Sequence, residues 1–296
     1  MENWKDHKSI FWIFALPGTL WLVLFFLFPL TIIWALSFGE QVSLTKTEVT
    51  GTLQHYVRAL GEPIYLKIIW KSIWMSAIAT FFCLLIAYPI AFLISFVRGP
   101  MKMILLAAVI LPFWINLLIR TYALIAVFRT RGFVNFGLEW VYKNLALDHL
   151  FGPFQPLELL YNNGAVVLGL IYVFMPFMVL PLYASIERLN KSYLEASLDL
   201  GAGQFKTFWR ISVPLTMPGI VSGIILVFIP MLGSFLIPDL LGGTNAQMIG
   251  NVIERQFKAA NNYPFGAALS FLLMYATFAA LALRAWHASH SRGSGV

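Results

Sequence analysis

The residues best suited to work on something outside a membrane lie in one short stretch, KSYLEASLDLGAGQFKTFWRISVP at 191–214. Ser192 is followed three positions later by Glu195, the spacing of a capping box. In that motif the hydroxyl accepts from the amide of residue 195 and the carboxylate reaches back to the amide of Ser192. The pattern predicts a helix over 193–200, ended by Gly201 in the left-handed region. A second short helix is predicted over 204–211, with Pro214 as its stop. Tyr193, Leu194, Phe205, Phe208 and Trp209 give this elbow apolar matter to bury. Lys206 and Arg210 would suit a lipid headgroup region as well as a protein partner. Charge-free runs flank the stretch on both sides, and a loop so placed has no need of its own capped helices unless something docks on it.

Other chemistries find no support. There is no GxxxxGK[ST] to cradle nucleotide phosphates, no HExxH, no paired cysteines and no nucleophile–base set. His7, His55, His149, His287 and His290 show no metal-ligand spacing. The expectation is a chain with no catalytic residue, no metal and no cofactor of its own.

Composition says what positions the loop. Hydrophobic residues make up 59% of the 296 and charged residues 11%, too few charges to cover a soluble surface of this size. Charge-free runs fall at 10–39, 72–97, 103–119, 159–186, 211–238 and 259–283. About 20 apolar residues in a helix cross a hydrocarbon core about 30 Å thick, so six transmembrane helices are expected. The third is short unless it tilts or continues past Arg120 into 121–128. The first is too long for a signal peptide's apolar region and reads as a retained anchor. Cys83 lies mid-span and leaves no disulfide framework.

The net charge of +7 is read as topology. With the amino terminus inside, segments 1–9, 98–102, 187–210 and 284–296 are cytoplasmic and hold ten of the twenty Lys and Arg. These are the shorter loops, so basic density favours this orientation. Outer loops fall at 40–71, 129–158 and 239–258. The uncharged stretch 240–253 is too short to span and reads as a loop or re-entrant segment at the outer mouth.

The sequence Glu195-Ala196-Ser197, Gly201 four residues on, then Ile211, Val213 and Pro214, resembles the EAA loop of permease subunits in binding-protein-dependent ABC importers. Ser197 stands where a second Ala is usual and Val213 where Leu is usual. Residues 111–116 with 119–123, and 237–243 with 248–251 and 263–268, resemble segments of spermidine/putrescine-type permeases. Thiamine, ferric iron, phosphonate and opine permeases share related segments, so another small solute stays open.

The resemblance implies an all-α polytopic protein with six transmembrane helices of the type I ABC importer permease fold. It implies one transmembrane domain over 1–296, with a cytoplasmic coupling loop at 187–217 between helices 4 and 5. Ser192, Glu195, Ala196, Ser197, Gly201, Ile211 and Pro214 would couple to an ATPase pair that itself binds ATP and Mg. The remaining partners would be a second, different permease, a periplasmic or extracellular solute-binding protein and membrane lipid, but no nucleic acid. The setting would be a bacterial cytoplasmic (inner) membrane, both termini cytoplasmic.

A polycationic cargo wants carboxylates and aromatic faces. The chain has 26 Phe, 10 Trp and 11 Tyr, but its charge-free spans hold no acid. Asp239 and Glu254, at the outer mouth, are the best placed carboxylates. Tyr88, Trp114, Asn116, Tyr122, Tyr172, Ser234 and Tyr275 are further candidates for the translocation path. Arg120 reads either as snorkelling to the outer interface or as a gate or docking contact. A self-contained secondary transporter is the rival class. It would carry intramembrane charges or repeated halves, and neither is visible here.

Overall fold

A computed structural model describes residues 8–43, 47–145 and 152–292. Residues 1–7, with Lys5 and His7, and residues 146–151, with His149, lie outside the described residues, as do 293–296. Contacts divide the chain into two compact units, residues 1–66 with 252–296, and residues 67–251.

In the first unit, α1 (Lys8–Leu22) runs through a π turn at Val23–Leu27 into α2 (Phe28–Leu36). A short antiparallel hairpin follows, β1 (Gly39–Gln41) with β2 (Thr47–Val49), pairing Glu40 with Glu48. Next comes α3 (Gln54–Gly61), and the unit closes with α15 (Tyr263–Arg292). Phe265 is buried at its centre, met edge-on by Tyr65 at 5.1 Å and covered by the Arg58 guanidinium at 4.7 Å. Polar tips are paired: Trp34 Nε1 donates to Tyr275 Oη at 2.7 Å, and Ser37 Oγ lies 2.7 Å from Tyr56 Oη.

The second unit is built on α4 (Pro63–Phe96), whose described course in this unit begins at residue 67, and on α8 (Asn163–Glu187). Between them run α5 (Pro100–Ile110), a 3₁₀ turn (Leu111–Trp114), α6 (Leu117–Phe128) and α7 (Phe133–Asn144). After α8 come α9 (Ser192–Asp199), α10 (Gln204–Thr207), a π turn (Phe208–Ser212), α11 (Val213–Leu215), α12 (Met217–Leu232), α13 (Leu236–Gly242) and the start of α14 (Ile249–Lys258), whose residues from Val252 on belong to the first unit.

The core follows from spacing. On α4 the buried residues Met75, Ala79, Cys83, Ala87 and Ala91 recur every four positions, a stripe of mostly small side chains. They join Val166, Leu170, Met178 and Leu182 of α8 and Val227 and Met231 of α12 in one cluster. Lipid tails are as apolar as leucine, so close van der Waals fit is what holds such helices together. Gly219 and Gly223 of α12 supply that fit. A Cβ at Gly219 would come within 2.3 Å of Ser185 Cβ, and one at Gly223 within 2.7 Å of Met178 Sδ.

Among the described residues, four helices are long and apolar enough to cross a membrane: Ile13–Leu36, Pro63–Phe96, Asn163–Glu187 and Tyr263–Ala282. Two further pairs pass the same test only together. Pro100–Trp114 and Leu117–Asn144 meet at a bend of 97°, and Gln204–Leu215 and Met217–Leu232 at 67°. The third charge-free run is therefore not a straight continuation into 121–128. The helix tightens at Pro112, and Asn116 restarts it by accepting from the Leu118 amide at 2.8 Å. The second run starts earlier than its charge-free segment, at Pro63. Residues 240–253 form no spanning segment but a helix end, a turn at Gly243 (φ +60°) and the start of α14.

Candidate functional site

The elbow between α8 and α12 has the outline the sequence gives it and differs in two details. Helix α9 begins at Ser192, and Gly201 follows it with φ +81°. A Cβ at Gly201 would meet nothing within 4 Å, so the glycine is there for its backbone.

The capping box does not form. Lys191 already has helical φ −61° and ψ −25°, and the Leu194 and Glu195 amides both bond its carbonyl. Ser192 thus sits inside the first turn, not in the extended conformation a capping hydroxyl needs. Asn190 does the capping instead, its Oδ1 accepting from the Ser192 amide at 3.1 Å.

Nor does Pro214 stop the second helix. A π turn at Phe208–Ser212, closed by the Val213 amide on the Phe208 carbonyl, widens the helix just ahead of the proline. That widening takes up the ring that would otherwise strike the carbonyl four residues back. The helical run ends two residues later, at Thr216.

One bond that the sequence did not reveal holds the elbow closed. Ser197 Oγ and Thr207 Oγ1 are 2.9 Å apart and both residues are buried, which ties α9 to α10. Where the family pattern has a second alanine, this chain has a hydroxyl with a partner. Among the described residues, two cavities at the elbow are lined by coupling candidates. One of about 670 Å³ is lined by Tyr193, Ala196, Ser197, Gly201, Lys206, Arg210, Ile211 and Pro214. The other, of about 890 Å³, is lined by Phe92, Phe96, Arg98, Lys191, Leu194, Glu195, Phe205 and Phe208. Glu195 and Ala196 are exposed, and Leu200 and Phe205 project apolar surface outward. The site can therefore present a rigid, partly apolar, basic-edged face to a protein.

The path candidates differ in their surroundings. Tyr88 is buried, and its hydroxyl lies 2.9 Å from Thr216 Oγ1. Trp114 is 83% exposed, Tyr122 and Tyr172 are also exposed, and Asn116 is the cap of α6. Ser234 is half-buried and Asp239 lies exposed in the first turn of α13. Glu254 and Tyr275 belong to the other unit. Glu254 holds Lys258 at 2.9 Å, and Tyr275 accepts from Trp34.

Arg120 lies on α6. It is 6% exposed, and its Nε and Nη1 find no acceptor among the described residues. The bend at residues 115–116 lays α6 against α8 and α13 and encloses the side chain.

The helices and their bends have the length and composition of a multi-pass membrane protein. The chain belongs to the family of binding-protein-dependent transport system inner membrane components, whose family model matches residues 73–292. It is accordingly a multi-pass inner-membrane permease subunit of an ABC importer. It is 41% identical over 253 residues to the spermidine/putrescine transport system permease protein PotB of Escherichia coli (strain K12), covering 86% of this chain and 88% of that one. To the PotB of Salmonella typhimurium (strain LT2) it is 40% identical over 273 residues, covering 92% and 91%. The inner membrane ABC transporter permease protein YdcU of Escherichia coli (strain K12) is 30% identical over 279 residues, covering 91% and 87%. A crystal structure of a bacterial ABC transporter involved in the import of the acidic polysaccharide alginate superposes with a TM-score of 0.68. The superposition covers 99% of both chains at 19% identity, a likeness of fold.

Proposed function

We propose that this chain forms half of the translocation path for a polyamine of the spermidine/putrescine type, crossing the membrane six times with both termini in the cytoplasm. Each bent helix pair counts as one crossing, and the elbow at 187–217 then faces the cytoplasm with its basic residues. The polyamine reading draws on the PotB relatives, 40–41% identical across most of the chain. The whole chain acts as one transmembrane domain, and the reaction chemistry lies in two ATPase subunits that bind ATP and Mg. A second, different permease completes the path, and a periplasmic solute-binding protein delivers the cargo. Because the charge-free spans hold no acid, affinity resides in that protein.

The observation that carries this reading is the closed elbow. Its glycine sits at φ +81°, its two helices are pinned by Ser197 and Thr207, and Leu200 and Phe205 face outward. In this reading Ser192, Glu195, Ala196, Ser197, Gly201, Ile211 and Pro214 shape the face on which the ATPase docks. Gly201→Asp puts a side chain at a positive φ and adds a charge to the docking face. The variant should insert in the membrane at normal level, lose co-purification with the ATPase and take up radiolabelled spermidine at about a tenth of the wild-type rate or less. Wild-type uptake by this variant would refute the docking role. Failure of wild-type transporter to take up any polyamine, with another solute transported instead, would leave the fold and remove the cargo.

A further inference from the structure

We propose that Tyr88 and Thr216 are positioning residues of the transport cycle, a hydrogen-bonded joint that passes elbow movement to α4. The inference rests on the reading that the elbow receives thrust from an ATPase.

Thr216 stands at the 67° bend between the elbow's second helical run and α12, with φ −96° and ψ 7°. Its hydroxyl donates its one proton to the Ser212 carbonyl at 2.7 Å, so the Tyr88 hydroxyl at 2.9 Å must donate to Thr216. The bond therefore has one direction. Tyr88 is 7% exposed and Thr216 fully buried, so no water stands ready to replace either partner.

The bond joins two mechanically weak places. Tyr88 directly precedes Pro89, where α4 loses an internal hydrogen bond. Thr216 follows the π turn and α11, the least regular part of the elbow. The Tyr88 ring also stands edge-on to Phe208, the first residue of that turn, at 5.3 Å and 85°.

What surrounds the joint restricts how it moves. The Ser197–Thr207 bond makes the elbow one body. On the far side of the bend, Gly219 brings α12 so close to α8 that an added Cβ would lie 2.8 Å from the Pro181 carbonyl, which leaves no room for sliding. Displacement of the elbow must then be absorbed at Thr216, and the bonded phenol carries it to the proline break in α4.

The test uses the complete transporter, with ATPase, second permease and binding protein, in proteoliposomes, comparing Tyr88→Phe, Thr216→Val and Thr216→Ser. The readouts are spermidine taken up per ATP hydrolysed, ATPase co-purification and thermal stability of the complex. Tyr88→Phe and Thr216→Val should keep the ATPase bound and hydrolysing while uptake per ATP falls on the order of tenfold. Thr216→Ser, which keeps the acceptor, should stay within about twofold of wild type. An unchanged ratio in Tyr88→Phe and Thr216→Val overturns the joint. So does a loss of stability and assembly in all three variants, which marks a bond that only holds the fold. A wild-type complex that does not retain the ATPase removes the docking reading itself. Retained ATPase with an unchanged ratio removes the joint alone.

Discussion

The helices Ile13–Leu36 and Asn163–Glu187 have nearly the same mean hydropathy, 2.3 and 2.4, and opposite surroundings. None of the first helix's most apolar window is buried within the chain, whereas 56% of the second's is. Hydropathy sorts a segment into the membrane and says nothing of what covers it there. The difference lies in small residues and their partners. Helix α8 meets Gly219 and Gly223 of α12, and its own Gly169 would place a Cβ 2.4 Å from Leu241 Cδ1. Gly18 of α1 has nothing within 4 Å of the same position, and Trp21, Phe25 and Phe26 stand exposed.

Three measurements sharpen or break this comparison. The largest effect is expected from truncating a packed side chain. Met178→Ala, fully buried against α12, should cost about 3 kcal/mol by cavity formation. Phe25→Ala, 57% exposed, should cost less than about 1 kcal/mol in the isolated chain. Denaturation of each purified variant in mixed micelles reads the two values, and equal costs would mean that both helices are equally enclosed.

Next comes added bulk. Gly219→Val should destabilise by about 2 kcal/mol, because Ser185 Cβ and the Pro181 carbonyl cannot both withdraw. Gly18→Val should lie within about 1 kcal/mol of wild type, a matter of helix propensity alone. A melt unaffected by Gly219→Val would show that α12 and α8 do not pack this closely.

The smallest effect concerns pH and the unit that contains α1. Burial holds the His55 imidazole below its ordinary value of 6.5, the Gly39 carbonyl at 3.1 Å opposing this and Arg58 adding to it. Neutral imidazole is favoured in the fold, so its contribution is complete above pH 6.5. It is lost as pH falls below that value, where the unfolded chain takes the proton first. Melting of the wild type should drop more between pH 7.5 and 5.5 than that of His55→Gln, and parallel curves would exclude His55 as the cause.

Legibility in the sequence followed the same divide. Charge-free runs announce the crossing segments, and Gly201 announces the end of α9, because both depend on local composition or backbone freedom. The bend at 115–116 was missed: the third run suggests only a tilt or a continuation, and Asn116 reads as a residue of the translocation path although it caps α6. Ser192 and Glu195 looked like a capping box because their types and spacing fit. Whether one forms depends on the backbone at Lys191, and Asn190, a competent cap two residues earlier, was the overlooked signal. Pro214 failed as a stop because a π turn is a response of the backbone that no residue type encodes. The pairings Ser197–Thr207 and Tyr88–Thr216 join residues 10 and 128 apart and are properties of the packed helices.

The stripe of small residues on α4 includes Cys83, the chain's one cysteine, and it is wholly buried. Maleimides and spin labels that need an open sulfur will pass it by. A cysteine placed at Leu200, which is 88% exposed on the elbow, becomes the single addressable thiol without any prior removal of the native one. The native protein is thus a ready background for optical or magnetic reporters on its elbow.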